Sequence, residues 1–370
     1  MKRPLVSVII PVFNQEPYLC QCLDSVVRQT LRDIEVIAIN DGSTDKSPNI
    51  LSEYAANDNR IIIINQQNQG VAQARNNGLD NASGEFVAFM DPDDWYPDND
   101  VLEVMYNTAI SQNVKIVGGS LIQWKNGKAV FVHDSFEKVN IDYNFPEDKL
   151  VYYYDYQFDY GYWRFLYKLE MLRTNKIRFP KYSRFQDPPF FCSAMICAEK
   201  FYALKRVTYV YRNKNGPVIW TDQKLLDIIH GLTDLFELSN TYNLAKLHFI
   251  AFYRLNGDWL CDIIRENMRA GNRLMLVQLA HANEKISPEL LWSAESLIDR
   301  ESWGVMDNFS KTDFVFIRAL LSAPYKEELQ QLSKQLYKLQ NSYSYRIGRA
   351  ITWLPRKVRD GIRIIRYSKD

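Results

Sequence analysis

Leu5-Val6-Ser7-Val8-Ile9-Ile10-Pro11-Val12 is a short apolar, β-branched run that closes near a proline, the pattern of a strand buried on both faces. Outward from it, Leu19, Leu23, Val26 and Val27 recur at helical spacing, and Ile34 to Asn40 is a second buried strand stopping at Asp41-Gly42-Ser43. Strand, helix and strand in that order make a parallel pair joined by a crossover. The alternation continues with a helix over 46–56, a strand over 61–65, a helix over 70–81 and a strand over 85–90. The expected fold class is therefore α/β, a Rossmann-like, mostly parallel sheet flanked by helices. In such sheets the ligand crevice lies beyond the carboxyl ends of the strands. Polar residues stand at those ends: Asn14, Asp41, and Asp91 with Asp93.

A helix to about residue 112 and a strand over 115–121 extend this pattern, after which residues 122–160 read as loop-rich and aromatic. The rings crowded into residues 152–163 fit two readings, the edge of a packed core or a sugar-stacking surface. Helical periodicity over 222–283 and 288–322 predicts a C-terminal α-helical extension. Leu329, Leu332, Leu336 and Leu339 then form a short coiled-coil-like seam, which could pair with another helix and make the chain a homo-oligomer. From Arg346 onward eight basic residues face two acidic ones, interleaved with Ile347, Ile351, Trp353, Leu354, Val358, Ile362, Ile364 and Ile365. Such a tail suits an anionic membrane surface; the alternative is a solvated helix docked on the body.

Composition narrows the function classes. Forty-five basic residues nearly balance forty-four acidic ones, so the chain offers no overall field for nucleic acid and no such partner is expected. Five cysteines at uneven spacing suit neither a disulfide framework nor a four-ligand zinc site. The N-terminus lacks signal-peptide organisation and no stretch reaches the length of a spanning helix. The expected location is the cytoplasm, with peripheral attachment to the inner face of the membrane through the tail.

Asp91-Pro92-Asp93 offers two carboxylates on a rigid turn at a strand end, followed directly by Asp94. Hard oxygen ligands of this kind suit Mg²⁺ or Mn²⁺. On its own an Asp-rich turn is more often only a turn. Its companions decide otherwise: Ser7 to Asn14, Asp41-Gly42-Ser43-Thr44-Asp45, Asn68-Gln69-Gly70, Ala74-Arg75-Asn76-Asn77-Gly78, and Gly84 to Trp95. In order and spacing these segments resemble the family 2 glycosyltransferases of the GT-A fold, strongly over about 5–120, moderately over 160–215 and weakly beyond.

The resemblance implies a GT-A domain over 1–215, with a donor half over about 1–120 and an acceptor half over 121–215. A helical extension over 216–324 and a helical, basic amphipathic tail over 325–370 would follow. It implies Pro11, Val12 and Asn14 in the first donor loop, Asp41 as acceptor for the base, Arg75 on base or phosphate, and Asp91 shared between ribose and metal. Asp93 would be the preferred metal ligand and Asp94 a secondary candidate. The segment Tyr182 to Phe191 resembles the stretch in which an Asp, usually preceded by Glu, opens a helix; Asp187 is thus the implied general base, with Gln186 in place of the usual acid. Tyr209-Val210-Tyr211-Arg212 resembles a following strand, and Arg212 is either a diphosphate contact or a surface ion pair. Simpler readings stay open: a salt bridge from Arg75 to Asp41, a turn-forming Asn14, and Asp187 as a helix N-cap.

The function implied is transfer of one sugar from a nucleotide-diphosphate sugar, with UDP preferred by family frequency, to a glycan or lipid-linked saccharide of a bacterial surface polysaccharide. A processive synthase would need a Gln-x-x-Arg-Trp motif and spanning helices, and neither is in the sequence. The rival of another class is a catalytically silent sugar-nucleotide or glycan binder. Deleting residues 342–370 is expected to release the protein from anionic vesicles in a flotation assay while donor binding is preserved; unchanged vesicle binding would refute the anchor.

Overall fold

All seven residues of β1 (Val6–Val12) are buried, at the centre of the sheet. The computed structural model describes residues 3–131, 144–213, 218–257, 260, 263–264 and 273–294. After β1 come α1 (Leu19–Val27), β2 (Ile34–Asn40), α2 (Ser47–Asn57), β3 (Ile61–Asn65), α3 (Val71–Asn81), β4 (Phe86–Phe89), α4 (Val101–Ser111), β5 (Ile116–Lys125) and β6 (Lys128–Phe131). They are followed by β7 (Lys149–Tyr152), α5 (Tyr153–Tyr156), β8 (Phe165–Lys168), α6 (Leu169–Thr174), α7 (Asp187–Ala198) and β9 (Lys200–Arg212).

The sheet runs β3-β2-β1-β4-β8-β5-β9-β7, with β6 paired to β5. The first four strands are parallel, as three helical crossovers require. Beyond them β8 lies antiparallel to both β4 and β5, and β9 runs parallel to β5. The sheet is therefore parallel in its N-terminal half and mixed in the rest. Because β1 is flanked by β2 on one side and β4 on the other, the strand order reverses there, which opens a crevice at its carboxyl end.

Pro11 survives inside this central strand for a local reason. The Ile9 carbonyl accepts from Met90 N on the β4 side, so Pro11, two residues on, turns the same edge toward β4. Pairing with β4 ends at Ile9 and Phe89. The missing N–H thus falls where no ladder bond was due.

Residues 122–160 are more regular than expected. β5 continues to Lys125 and turns back through Asn126 and Gly127, both at positive φ, so that Lys125 pairs with Lys128. Asn-Gly between strands is a two-residue hairpin signal, which the loop-rich reading overlooked. In the aromatic run, Tyr153, Phe158, Tyr162 and Trp163 are buried, and Tyr152 and Tyr154 are exposed. The packed-core reading therefore holds for the first four.

The chain divides into two compact units, residues 1–137 with 141–217, and residues 138–140 with 218–370. In the second unit the described elements are α8 (Asp222–Tyr242), α9 (Ala245–Asn256), α10 (Arg273–Glu284) and α11 (Pro288–Ala294). Thr221 caps α8 by accepting from Lys224 N. The helix predicted to run on to residue 322 and the basic tail lie outside the described residues. No described helix is long and apolar enough to cross a membrane.

A buried histidine joins three parts of the helical unit. Ser287 N donates to His248 Nε2 at 2.9 Å, so that nitrogen carries no proton, and Nδ1 faces Ser239 Oγ at 2.8 Å. The Ser239 hydroxyl donates to the Phe236 carbonyl, leaving its oxygen to accept from Nδ1. Burial drives the His248 pKa down to about 3. An unfolded histidine takes a proton below about pH 6.5, one the folded site refuses, so this contribution to stability is complete above that pH and is lost on acidification toward 3. Hydrogen-exchange protection factors of α8 and α9, taken relative to the intrinsic exchange rate at each pH, should therefore fall from pH 7 to pH 4, and His248→Gln should flatten that dependence; an equally steep profile in the variant would reassign it.

Candidate active site

Gly70 stands at φ 86 just before α3, a backbone state open to glycine at little cost. The buried side of α3 is small, with Ala72, Ala74 and Gly78, and it carries one cation, Arg75. The guanidinium is 4% exposed and forks between two carboxylates, Nη2 to Asp91 Oδ1 at 2.7 Å and Nη1 to Asp187 Oδ1 at 3.0 Å. It lies over the rings of Tyr162 and Phe179, 4.9 and 5.2 Å from their centroids. Tyr162 Oη adds a hydrogen bond to Asp91 Oδ1 at 3.3 Å. A planar, weakly hydrated cation suits this place better than an ammonium would, because it stacks and binds two acids at once. The alternative partner, Asp41, is not used.

Asp187 is the first residue of α7, with Gln186 at the N-cap position making no side-chain cap bond. The N-cap reading for Asp187 is thereby excluded. As an anion in the first turn it benefits from the helix dipole. Burial raises its pKa, Arg75 opposes that, and the nearby Asp91 charge adds to it, for a value of about 6. At neutral pH the group is mostly a carboxylate with unusual proton affinity for an aspartate.

The acidic turn is held from behind. Asp94 N returns to the Asp91 carbonyl at 3.0 Å. Asp94 is 1% exposed and accepts from Tyr209 Oη at 2.8 Å and from Arg212 N at 2.6 Å. Burial raises its pKa well above the usual range, and the Asp93 and Asp91 charges add to that. Asp94, expected as a secondary ligand, is instead the root of the turn: its oxygens point into the domain. Tyr209 Oη also accepts from Asp91 N.

Arg212 braces the same turn. Its Nε donates to the Asp93 carbonyl and its Nη2 to Gln21 Oε1, while the guanidinium packs over Tyr18 and Trp95. It forms no ion pair among the described residues, which corrects the surface-ion-pair alternative.

On the other side of the crevice Asp41 is buried and accepts from Gln66 Nε2, Gln69 N and Gly70 N. Oδ1 takes two of these bonds and Oδ2 one, leaving one acceptor position on Oδ2. Asn14 is exposed at φ 52, and its Oδ1 accepts from Thr44 N at 2.8 Å. The turn-forming reading is thus realised, tying the first loop to the second. Pro11 and Val12 are buried at the end of β1 and present backbone there.

Three supports escaped the sequence reading: Tyr162 and Phe179 beneath Arg75, and Tyr209 behind the turn. Only the alternation of Tyr209 and Tyr211 with Val210 hinted that one tyrosine faces the site. The model for glycosyl transferase family 2 matches residues 7–173. Over those residues the chain matches that family. The match spans Asp41, Arg75 and the acidic turn, and Asp187 lies beyond it. The chain is 36% identical over 212 residues to the glycosyltransferase EpsJ of Bacillus subtilis, covering 56% of this chain and 61% of that protein. It is 32% identical over 211 residues to a poly(ribitol-phosphate) beta-glucosyltransferase of Bacillus spizizenii, covering 56% of this chain and 32% of that one. It therefore spans less than two thirds of either relative's length. Its fold is similar to S. aureus TarS 1–349 in complex with UDP, with a TM-score of 0.65 at 18% identity over 88% of this chain and 91% of that one.

Arg75→Met is expected to destabilise the first unit by about 3 kcal/mol in chemical denaturation, the low end for a broken buried pair because both carboxylates reach some water. Arg75→Lys should recover only part of this, since an ammonium cannot fork. Equal stability of Arg75→Met and the natural protein would show that the fork is not a structural tie.

Proposed function

We propose that this chain is an inverting glycosyltransferase that moves one sugar from a UDP-hexose or UDP-N-acetylhexosamine to a hydroxyl of a glycan or lipid-linked saccharide in bacterial surface polysaccharide synthesis. The observation that carries the reading is the Arg75 fork, which brings Asp187 beside the acidic turn on the crevice side of the sheet. Support comes from the TarS structures with UDP and UDP-GlcNAc, which share the fold, and from a relative named for glucosyl transfer to poly(ribitol-phosphate).

In this reading Pro11, Val12 and Asn14 line the nucleotide end, and the remaining Oδ2 acceptor of Asp41 takes an N–H of the base. Asp187 removes the proton of the acceptor hydroxyl as that oxygen attacks the anomeric carbon opposite the leaving diphosphate, so one C–O bond forms as the other breaks. Its pKa of about 6 keeps it deprotonated at neutral pH yet basic enough to share the proton in the transition state. Arg75 holds the carboxylate in place.

The donor set fits a metal that the substrate helps to complete. Asp91 commits only Oδ1 to Arg75 and Tyr162, and Asp93 stands beside it half-buried. No group of three or more His, Cys, Asp or Glu among the described residues forms a closed cage. Mg²⁺ and Mn²⁺ accept one or two carboxylates together with phosphate oxygens and water, so Asp91 and Asp93 would hold such an ion. Bound there, it would offset the charge on the departing diphosphate. The tail over 325–370 would rest on the cytoplasmic face of the membrane, and its leucine seam would meet a second copy.

Asp187→Asn should abolish turnover of a UDP-sugar panel, assayed by mass spectrometry with crude lipid-linked glycan, while UDP binding persists. In the natural protein, activity should fall below about pH 6 as Asp187 takes up its proton, and chelation should remove activity until Mn²⁺ or Mg²⁺ is restored. Binding of UDP without turnover of any donor would favour the silent binder.

A further inference from the structure

The strand that carries Tyr209 ends where the crevice opens. β4 runs parallel to β1, β8 antiparallel to β4, β5 antiparallel to β8, and β9 parallel to β5. Two reversals restore the direction of β1, so the carboxyl end of β9 lies on the same edge of the sheet as Asp41 and the acidic turn. Its last four residues are Tyr209-Val210-Tyr211-Arg212. Side chains alternate along a strand. Arg212 turns toward Tyr18 and Trp95, while Tyr211 shares the side of Tyr209, where Trp163 packs against both rings.

Backbone and ring contacts fix Tyr211 in place. Val210 before it exchanges backbone hydrogen bonds with Trp95 at 3.0 and 3.3 Å, and Arg212 N after it donates to Asp94 Oδ1 at 2.6 Å. Its ring stacks on buried Trp163, with 5.5 Å between centroids and 14° between planes. Trp163 in turn meets Tyr162, which lies under the Arg75 guanidinium and bonds Asp91 Oδ1. Tyr211 thus stands against the acidic turn on the side of the Arg75 fork, one step further out along β9 than Tyr209. The neighbouring phenols are committed, Tyr209 Oη to Asp94 Oδ2 and Asp91 N, and Tyr162 Oη to Asp91 Oδ1. Tyr211 is half-buried, and its hydroxyl has no hydrogen-bond partner among the described residues. Burial and the charges of Asp94, Asp91 and Asp93 push its pKa up to about 12, so the phenol keeps its proton at neutral pH.

We propose that Tyr211 is a sugar-binding residue of this cleft, its phenol exchanging a hydrogen bond with a saccharide hydroxyl between the acidic turn and Asp187. A neutral phenol both donates and accepts, as a sugar hydroxyl does, and a fixed ring with a polar tip suits a ligand that is apolar on its ring faces and polar at its rim. The hydroxyl belongs either to the sugar being transferred or to the acceptor saccharide, which present the same chemistry. The assignment rests on the donor reading above.

The test compares the natural full chain with Tyr211→Phe, which removes the hydroxyl and keeps the stacked ring. Calorimetry with Mn²⁺ measures UDP, UDP-glucose and UDP-GlcNAc, and turnover by mass spectrometry gives KM for crude lipid-linked glycan. Tyr211→Phe is expected to bind UDP as the natural protein does and to lose about fivefold on a saccharide, the fold-change for one neutral hydrogen bond. Weaker binding of a UDP-sugar places the bond on the transferred sugar; a raised KM for the glycan places it on the acceptor. If UDP, both UDP-sugars and the glycan KM are all unchanged, the assignment is overturned while the donor reading survives. If UDP itself weakens as much as the UDP-sugars, the hydroxyl serves the nucleotide or the turn, and the assignment is again overturned. Natural protein that binds no UDP overturns the donor reading and this assignment with it. Matching melting temperatures confirm that the variant keeps the fold.

Discussion

One buried guanidinium organises the site. Arg75 leaves water to lie on Tyr162 and Phe179, and burying a cation in that way is tolerable only because two carboxylates meet it. Those acids come from distant parts of the chain, one from the turn after β4 and one from the start of α7. The fork thus joins the parallel half of the sheet to the segment that links β8 and β9 in its mixed half. It also sets the charge state of Asp187, whose burial and proximity to Asp91 would otherwise carry its pKa higher.

The rest of the arrangement is a set of braces around that fork. Asp94 and Tyr209 fix the turn from the inside, and Arg212 holds the Asp93 carbonyl from the flank. Asp41 holds the loop over 66–70, and Asn14 ties the first crevice loop to the second. Each is a polar group at a strand end whose first task is to satisfy the backbone of a neighbouring loop.

The parallel half of the sheet was legible because each strand is a continuous apolar run and each crossover a periodic helix, so local pattern and tertiary role agree. Arg75, Asp91 and Asp187 were legible as a set, through motif order. Their pairing was not, since Asp41 and Asp91 are equally acidic and only the path of α3 across the sheet decides which one Arg75 meets. Asp94 could not be told from Asp93 in sequence, because the distinction depends on Tyr209, a strand residue far along the chain. The hairpin at Asn126-Gly127 was readable from its turn residues and was obscured by the aromatic density around it.

The burial of Asp94 has a consequence for association. A carboxyl group held by a phenol and a backbone amide orders the turn from inside the fold. The loss of conformational entropy that usually accompanies ordering a loop around an anionic ligand has already occurred during folding. A ligand arriving at this end of the crevice would meet a turn already ordered by the fold.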